Sequence, residues 1–145
     1  MSDYDQSPNY RRGLNLVKEM LGDRFLAGLA NSAESGAFAA DCASIAIESA
    51  FGAVWSRPGL ARRDRSLVTL GILIATGKSA ELKNHVRAGL NNGLSVEELQ
   101  EVLIQAFPYC GFPCVAEAIE ATTAVLRERG LVDDTTQSAK ERGLL

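Results

Sequence analysis

A carboxylate and an imidazole four residues apart share one face of a helix, within hydrogen-bond reach of each other. Glu81-Leu82-Lys83-Asn84-His85 has this spacing. A neighbouring carboxylate raises the basicity of an imidazole and fixes its tautomer, which suits the pair to moving a proton. The bland alternative is a structural or exposed histidine. His85 is the only histidine of the 145 residues. A multi-histidine metal site within one chain is therefore excluded, and the cysteine spacing does not replace it, so no metal is expected.

Two further segments contain chemically capable side chains. Trp55-Ser56-Arg57-Pro58-Gly59-Leu60-Ala61-Arg62-Arg63-Asp64-Arg65 gathers four arginines around the start of a helix. That end of a helix prefers negative charge, so the arginines oppose the dipole. They read either as a solvated turn balanced by Asp64 or as an anion site, since a guanidinium grips a carboxylate with two parallel hydrogen bonds. Phe107-Pro108-Tyr109-Cys110-Gly111-Phe112-Pro113-Cys114 is a bend rich in aromatics. It is either plain packing or the apolar wall of a pocket. Cys110 and Cys114 are spaced C-x3-C rather than C-x2-C, with Pro113 between them, which argues against a working dithiol.

The elements that must position these residues are helical. Period-two alternation is absent, and Asn92-Gly93 lies where a helix should end rather than in a hairpin. The expected helices are Asn9 to Leu21, stopped by Gly22, then a short piece at Phe25 to Leu29 and a break at 31–36. Next come Ala37 to Val54, Arg62 to Thr76, Ser79 to Asn91, Ser95 to Tyr109 and Pro113 to Arg129. Ser95-Val96-Glu97-Glu98 is a capping box. The stretch Leu67 to Ala75 is apolar on every side, which predicts all-round burial and, in so short a chain, a partner subunit. The fold class is all-α: a single-domain bundle of about six helices over residues 1–132, followed by a loose polar C-terminal tail, 133–145.

Composition narrows the function classes. Hydrophobic residues make up 46%, charged residues 23%, and the net charge is −3, an ordinary globular balance with no footprint for nucleic acid or an anionic membrane. No apolar run reaches membrane-spanning length, and the acidic start Met1-Ser2-Asp3-Tyr4-Asp5 does not read as a secretory leader. Three cysteines without an export signal predict reduced thiols in the cytoplasm.

Together, in this order and spacing, the segments resemble the carboxymuconolactone decarboxylase family. The resemblance runs from Trp55-Ser56-Arg57-Pro58-Gly59-Leu60 through Arg62-Arg63-Asp64-Arg65-Ser66-Leu67 and Glu81-Leu82-Lys83-Asn84-His85. It continues through Asn91-Asn92-Gly93-Leu94-Ser95 to Tyr109-Cys110-Gly111-Phe112-Pro113 and ends near Ala118. It implies an all-α fold shared with the alkylhydroperoxidase D-like proteins, and homo-oligomers, hexamers or trimers. The peroxidase-like branch of that fold carries Cys-x2-Cys-x3-His; here Lys78 and Glu81 stand at the cysteine positions, and Ser66 stands where that branch has a glutamate. The Glu-x3-His pattern is similar to the decarboxylase branch.

The substrate implied by the resemblance is a small cyclic carboxylic acid such as 4-carboxymuconolactone, an unsaturated γ-lactone with a carboxylate on its γ-carbon. Loss of CO₂ sends the bonding electrons through the ring double bond to the lactone carbonyl, and a proton quenches the dienolate. The substrate is its own electron sink, so no cofactor is expected, and the chain has no phosphate-cradling glycine motif. The expected catalytic residues are His85, Glu81 and Arg65. The expected substrate-binding residues are Trp55, Arg57, Arg63, Tyr109 and Phe112. Two other readings remain at this point: a thiol peroxidase or reductase using Cys110 and Cys114, and a non-catalytic oligomer that binds a small acid or a protein partner.

Overall fold

A computed structural model describes residues 7–145. The acidic N-terminal residues Met1 to Asp5 lie outside the described residues. Helix α1 (Pro8–Glu34) opens on Ser7, whose Oγ accepts hydrogen bonds from the backbone N–H groups of Asn9 and Tyr10 at 3.2 and 3.4 Å. Pro8 suits the first helical position because its fixed φ is already helical. The expected stop at Gly22 is a kink instead. Gly22 has φ 85° and ψ 172°, and the chain re-enters the helix beyond it and continues to Glu34. A residue with a Cβ would resist that conformation. The break expected from residue 31 therefore begins only after Glu34.

Helix α2 (Ala40–Ile45) runs on without interruption as a π-helical stretch, Ala46–Trp55. Ten residues of this wider winding are unusual, since π turns are commonly single. Two glycines let α1 and the π stretch touch backbone to backbone. A Cβ on Gly13 would overlap the Ile47 carbonyl, and one on Gly52 would overlap the Asn9 carbonyl. Around these contacts Val17, Met20 and Ile47 are completely buried.

The chain groups into two compact units, one ending at Arg62 and one beginning at Arg63. The first holds α1, α2 and the π stretch. The second holds most of α3 (Arg62–Ala75), then α4 (Ser79–Asn91), α5 (Val96–Cys110) and α6 (Phe112–Glu128). The architecture is all-α, with no strand among the described residues. The second unit's core joins Leu70 and Ile74 of α3, Leu82 and Val86 of α4, Leu99 of α5, and Val115, Ala121 and Val125 of α6.

The capping box forms as its sequence implies. Ser95 Oγ accepts from the Glu98 N–H at 3.1 Å, and the Ser95 N–H donates to Glu98 Oε2 at 3.0 Å. Helices α5 and α6 are separated by Gly111 alone, at φ 82°. The break between Cys110 and Cys114 therefore lies at this glycine, and Pro113 sits in the first turn of α6.

Within the single chain helix α3 buries Ser66, Leu70 and Ile74, whereas Val68 and Ile72 are 56% and 57% exposed, so the all-round burial expected with a partner subunit is not reached by one chain alone. The core claims one stripe of the helix and leaves the opposite apolar stripe uncovered. The last residues, expected as a loose polar tail, make specific bonds to α6. The Arg127 guanidinium donates to the Thr136 carbonyl and to Glu141 Oε2, the latter at 2.7 Å. Glu141 Oε2 also accepts from the Ser138 N–H at 2.7 Å, and Ala139 is completely buried. Among the described residues no helix is long and apolar enough to cross a membrane.

Candidate active site

Helix α4 carries the proposed acid–base pair. Its buried stripe of Leu82, Val86 and Gly89 fixes the rotation of the helix. That rotation leaves Glu81 exposed and His85 half-buried, with Nδ1 shut away from solvent. Glu81 Oε1 accepts a long hydrogen bond from Asn84 Nδ2, 3.4 Å. Burial pushes the His85 imidazolium below its usual pKa, while the Glu81 charge pulls it up, and burial is the larger effect. The expected gain in basicity from Glu81 is present but overruled. His85 is therefore neutral at pH 7, a hydrogen-bond donor through one nitrogen and an acceptor through the other.

The arginines at the start of α3 differ in their engagements. Arg63 donates to Asp64 Oδ1 at 3.1 Å and to Glu98 Oε1. Both terminal nitrogens of its guanidinium thus already face carboxylates. Arg65 is half-buried, and its carbonyl accepts from Thr69 Oγ1 at 2.9 Å.

Tyr109 and Phe112, expected to wall one pocket, lie on either side of Gly111 and line different cavities. Tyr109 is 81% exposed and edges a cavity of about 630 Å³ between α3 and α5, with Leu67, Gly71, Glu101 and Cys110. Phe112 lines a cavity of about 680 Å³ between α5 and α6, edge-to-face with Phe107 at a centroid distance of 5.9 Å. Glu81 and His85 line neither of these two cavities. Cys110 and Cys114 are half-buried free thiols, and Cys42 is an exposed one. Among the described residues no three His, Cys, Asp or Glu side chains converge as a metal site would require.

Trp55 and Arg57 belong to the first unit. They line a cavity of about 490 Å³ formed by the turn after the π stretch and by the facing side of α1. Arg12, Asn15 and Glu19 of α1 complete it, together with Arg62, which pairs with Glu19. Sequence reasoning missed these three α1 residues. Their spacing of three and four puts them on one helical stripe, and that was the available signal.

Comparison with known proteins identifies this all-helical chain as a decarboxylase, an enzyme of the lyase class. The chain is 34% identical over 125 residues to a 4-carboxymuconolactone decarboxylase of Acinetobacter baylyi, covering 86% of this chain and 92% of that protein. It is 34% identical over 119 residues to a nitrosuccinic acid decarboxylase of Metarhizium robertsii, covering 82% of each. A third relative is an uncharacterized 15.0 kDa protein of Paracoccus denitrificans, 32% identical over 84 residues that make up 57% of this chain and 63% of that one. The family model for carboxymuconolactone decarboxylases matches residues 41–124, and the chain belongs to that family.

Proposed function

We propose that this enzyme decarboxylates a small cyclic carboxylic acid such as 4-carboxymuconolactone without a cofactor. The observation that carries this reading is the similarity to a 4-carboxymuconolactone decarboxylase over 92% of that protein's length. In the reaction the bond between the γ-carbon and the carboxylate breaks, and CO₂ leaves. The electron pair moves through the ring double bond onto the lactone carbonyl oxygen, giving a dienolate. One proton then returns to carbon.

The chain's residues have three tasks in this scheme: orienting the carboxylate, stabilising the oxygen anion and supplying the proton. His85 stabilises the anion and delivers the proton. A neutral imidazole suits this, because its N–H donates a hydrogen bond to the developing oxyanion, and a shielded site strengthens that bond. Glu81 tempers the desolvation of His85 and stabilises any imidazolium formed during proton transfer. Arg65, in the same unit as His85, binds carboxylate. Within the first unit Arg57 and Trp55 offer a carboxylate-binding group and an apolar wall, and Tyr109 and Phe112 shield from water the separate cavities they line. Arg63 is the weaker candidate for a clamp, because Asp64 and Glu98 already occupy it. The enzyme works in the cytoplasm as a homo-oligomer, a trimer or hexamer, whose contacts cover Val68 and Ile72.

A second substrate reading rests on the nitrosuccinic acid decarboxylase. Loss of the carboxylate beside a nitro group leaves a nitronate, an oxygen anion much like the dienolate, so the same residues serve both reactions. The test is to incubate the purified chain with each acid, follow CO₂ release and identify the product. Turnover of 4-carboxymuconolactone with the higher kcat/KM supports the first reading. Preference for nitrosuccinate supports the second, and no CO₂ from either acid overturns both.

A further inference from the structure

The cavity of the first unit has an uneven charge. Among the described residues its lining contains Arg12, Arg57 and Arg62 against one carboxylate, Glu19. That carboxylate is occupied: Arg62 NH1 donates to Glu19 Oε2 at 2.5 Å. The Ser56 hydroxyl is also committed, donating to the Gly52 carbonyl at 2.6 Å. Arg12 is different. It forms no ion pair or side-chain hydrogen bond with any described residue, although it lines a cavity of about 490 Å³. Asn15, three residues on and on the same stripe of α1, adds a side-chain amide to the lining. Trp55, half-buried, supplies a flat apolar wall to the same space.

The backbone holds these groups in place. Gly13, next to Arg12, and Gly52, three residues before Trp55, are the points where α1 and the π stretch meet without side chains between them. The Arg62–Glu19 pair ties the far end of the Arg12–Asn15–Glu19 stripe to the turn. The result is a cavity lined by arginines and an indole, with an arginine that makes no ion pair to any described residue. A guanidinium in that setting matches a carboxylate, and an indole matches a planar unsaturated body.

We propose that this cavity binds a small planar carboxylate, with Arg12 and Asn15 holding its carboxylate group and Trp55 against its flat face. The inference rests on the decarboxylase reading for the choice of ligand class, a carboxylate. It adds Arg12 and Asn15, neither of them in the segments that first suggested a site.

The test uses the full chain and phthalate, a stable planar dianion, with dimethyl phthalate as its uncharged isostere. Calorimetric titration at constant ionic strength should show saturable binding of phthalate and none of the diester. Arg12→Gln should weaken phthalate binding about tenfold or more, the scale for losing charge-assisted hydrogen bonds. Arg12→Lys should restore part of that loss. Circular dichroism checks that each variant is folded; Arg12 is exposed, so its replacement leaves the core untouched. Equal binding by Arg12→Gln, equal binding of acid and diester, or no binding of phthalate would each overturn the proposal. The outcome does not depend on turnover, so failure of the decarboxylase reading is seen separately.

Discussion

Glu98 performs two tasks with its two oxygens: Oε2 accepts the Ser95 N–H and closes the N-terminus of α5, while Oε1 accepts from the guanidinium of Arg63 at the start of α3. The box that caps one helix thereby anchors the first turn of another. Arg63, nominated from sequence as a substrate clamp, is held in that anchor.

Stability rather than substrate affinity should therefore respond to Arg63. Arg63→Gln is expected to lower stability by about 0.5–1 kcal/mol, the range for a partly exposed pair, with KM nearly unchanged. Glu98→Ala also loses half of the capping box and should cost about 1–2 kcal/mol. Urea denaturation and steady-state kinetics separate the effects. A large rise in KM for Arg63→Gln with unaltered stability would return Arg63 to the substrate.

For His85 the expected outcome is both kinetic and spectroscopic. His85→Ala should reduce turnover by about two to four orders of magnitude, the usual worth of a positioned proton-transfer group. Because it is the only histidine, its ring signals in an NMR titration need no assignment. They should report a pKa below the usual 6.5, and Glu81→Gln should lower it further, since Glu81 is the influence that raises it. The depressed folded-state pKa means that the unfolded chain takes up the proton first as pH falls. The histidine's contribution to stability is thus complete above pH 6.5 and is lost on acidification toward the lowered value. A titration midpoint above 6.5 would contradict the burial argument.

The sequence made some of this legible and hid the rest for identifiable reasons. The Ser95 and Glu98 box was readable because it depends on local spacing alone, and so were the ends of α4 at Ser79 and Asn91. The π winding of Ala46–Trp55 was not, because apolar periodicity over ten residues separates it poorly from an α-helix. Gly22 announced a break, but its spacing cannot say whether a chain stops or kinks. At the site, the Glu81–His85 spacing was visible, while the burial that reverses its effect on pKa arises from tertiary packing. Arg12, Asn15 and Glu19 were overlooked because a polar stripe on a surface helix looks the same whether it faces water or a cavity.

The glycine contacts of the first unit should be intolerant of a methyl group. Gly13→Ala or Gly52→Ala forces a Cβ onto a carbonyl of the opposing segment. Each should destabilise by about 1–3 kcal/mol, typical of overpacking at a site that yields only by backbone movement. Gly28→Ala, at a position with open space around it, serves as the control. Equal stabilities for Gly13→Ala and Gly28→Ala in chemical denaturation would refute the close approach.

The C-terminal residues should detach in acid. Glu141 is held down to about 2 from 4.5, first by its hydrogen bond from Arg127 and then by the Ser138 N–H. The stabilising contribution of the folded-state carboxylate is complete above pH 4.5 and disappears as pH falls toward 2. Hydrogen exchange of residues 133–145, corrected for the intrinsic pH dependence, should therefore lose protection over that interval, with α6 still protected. Glu141→Gln should expose the same residues at neutral pH. Unchanged protection of Ala139 in that variant would show that the latch lies elsewhere.

The last prediction concerns the apolar stripe of α3 that the core leaves uncovered. Val68 and Ile72, four residues apart, stand side by side on the helix and are each more than half exposed. Gly71 and Ala75 on the same helix line the cavity of about 630 Å³ next to α5, where Tyr109 is exposed as well. A contiguous apolar surface of this kind is a liability in a monomer and is usual at a subunit contact. The chain should therefore form a trimer or hexamer in solution, and the contact should include α3. Light scattering at micromolar concentration should report a mass several times the 15.5 kDa of one chain. Val68→Asp with Ile72→Asp should shift that mass to the single chain while circular dichroism stays helical, because neither side chain belongs to the second unit's core. A monodisperse monomer before mutation, or an unaltered oligomer after it, would remove α3 from the interface.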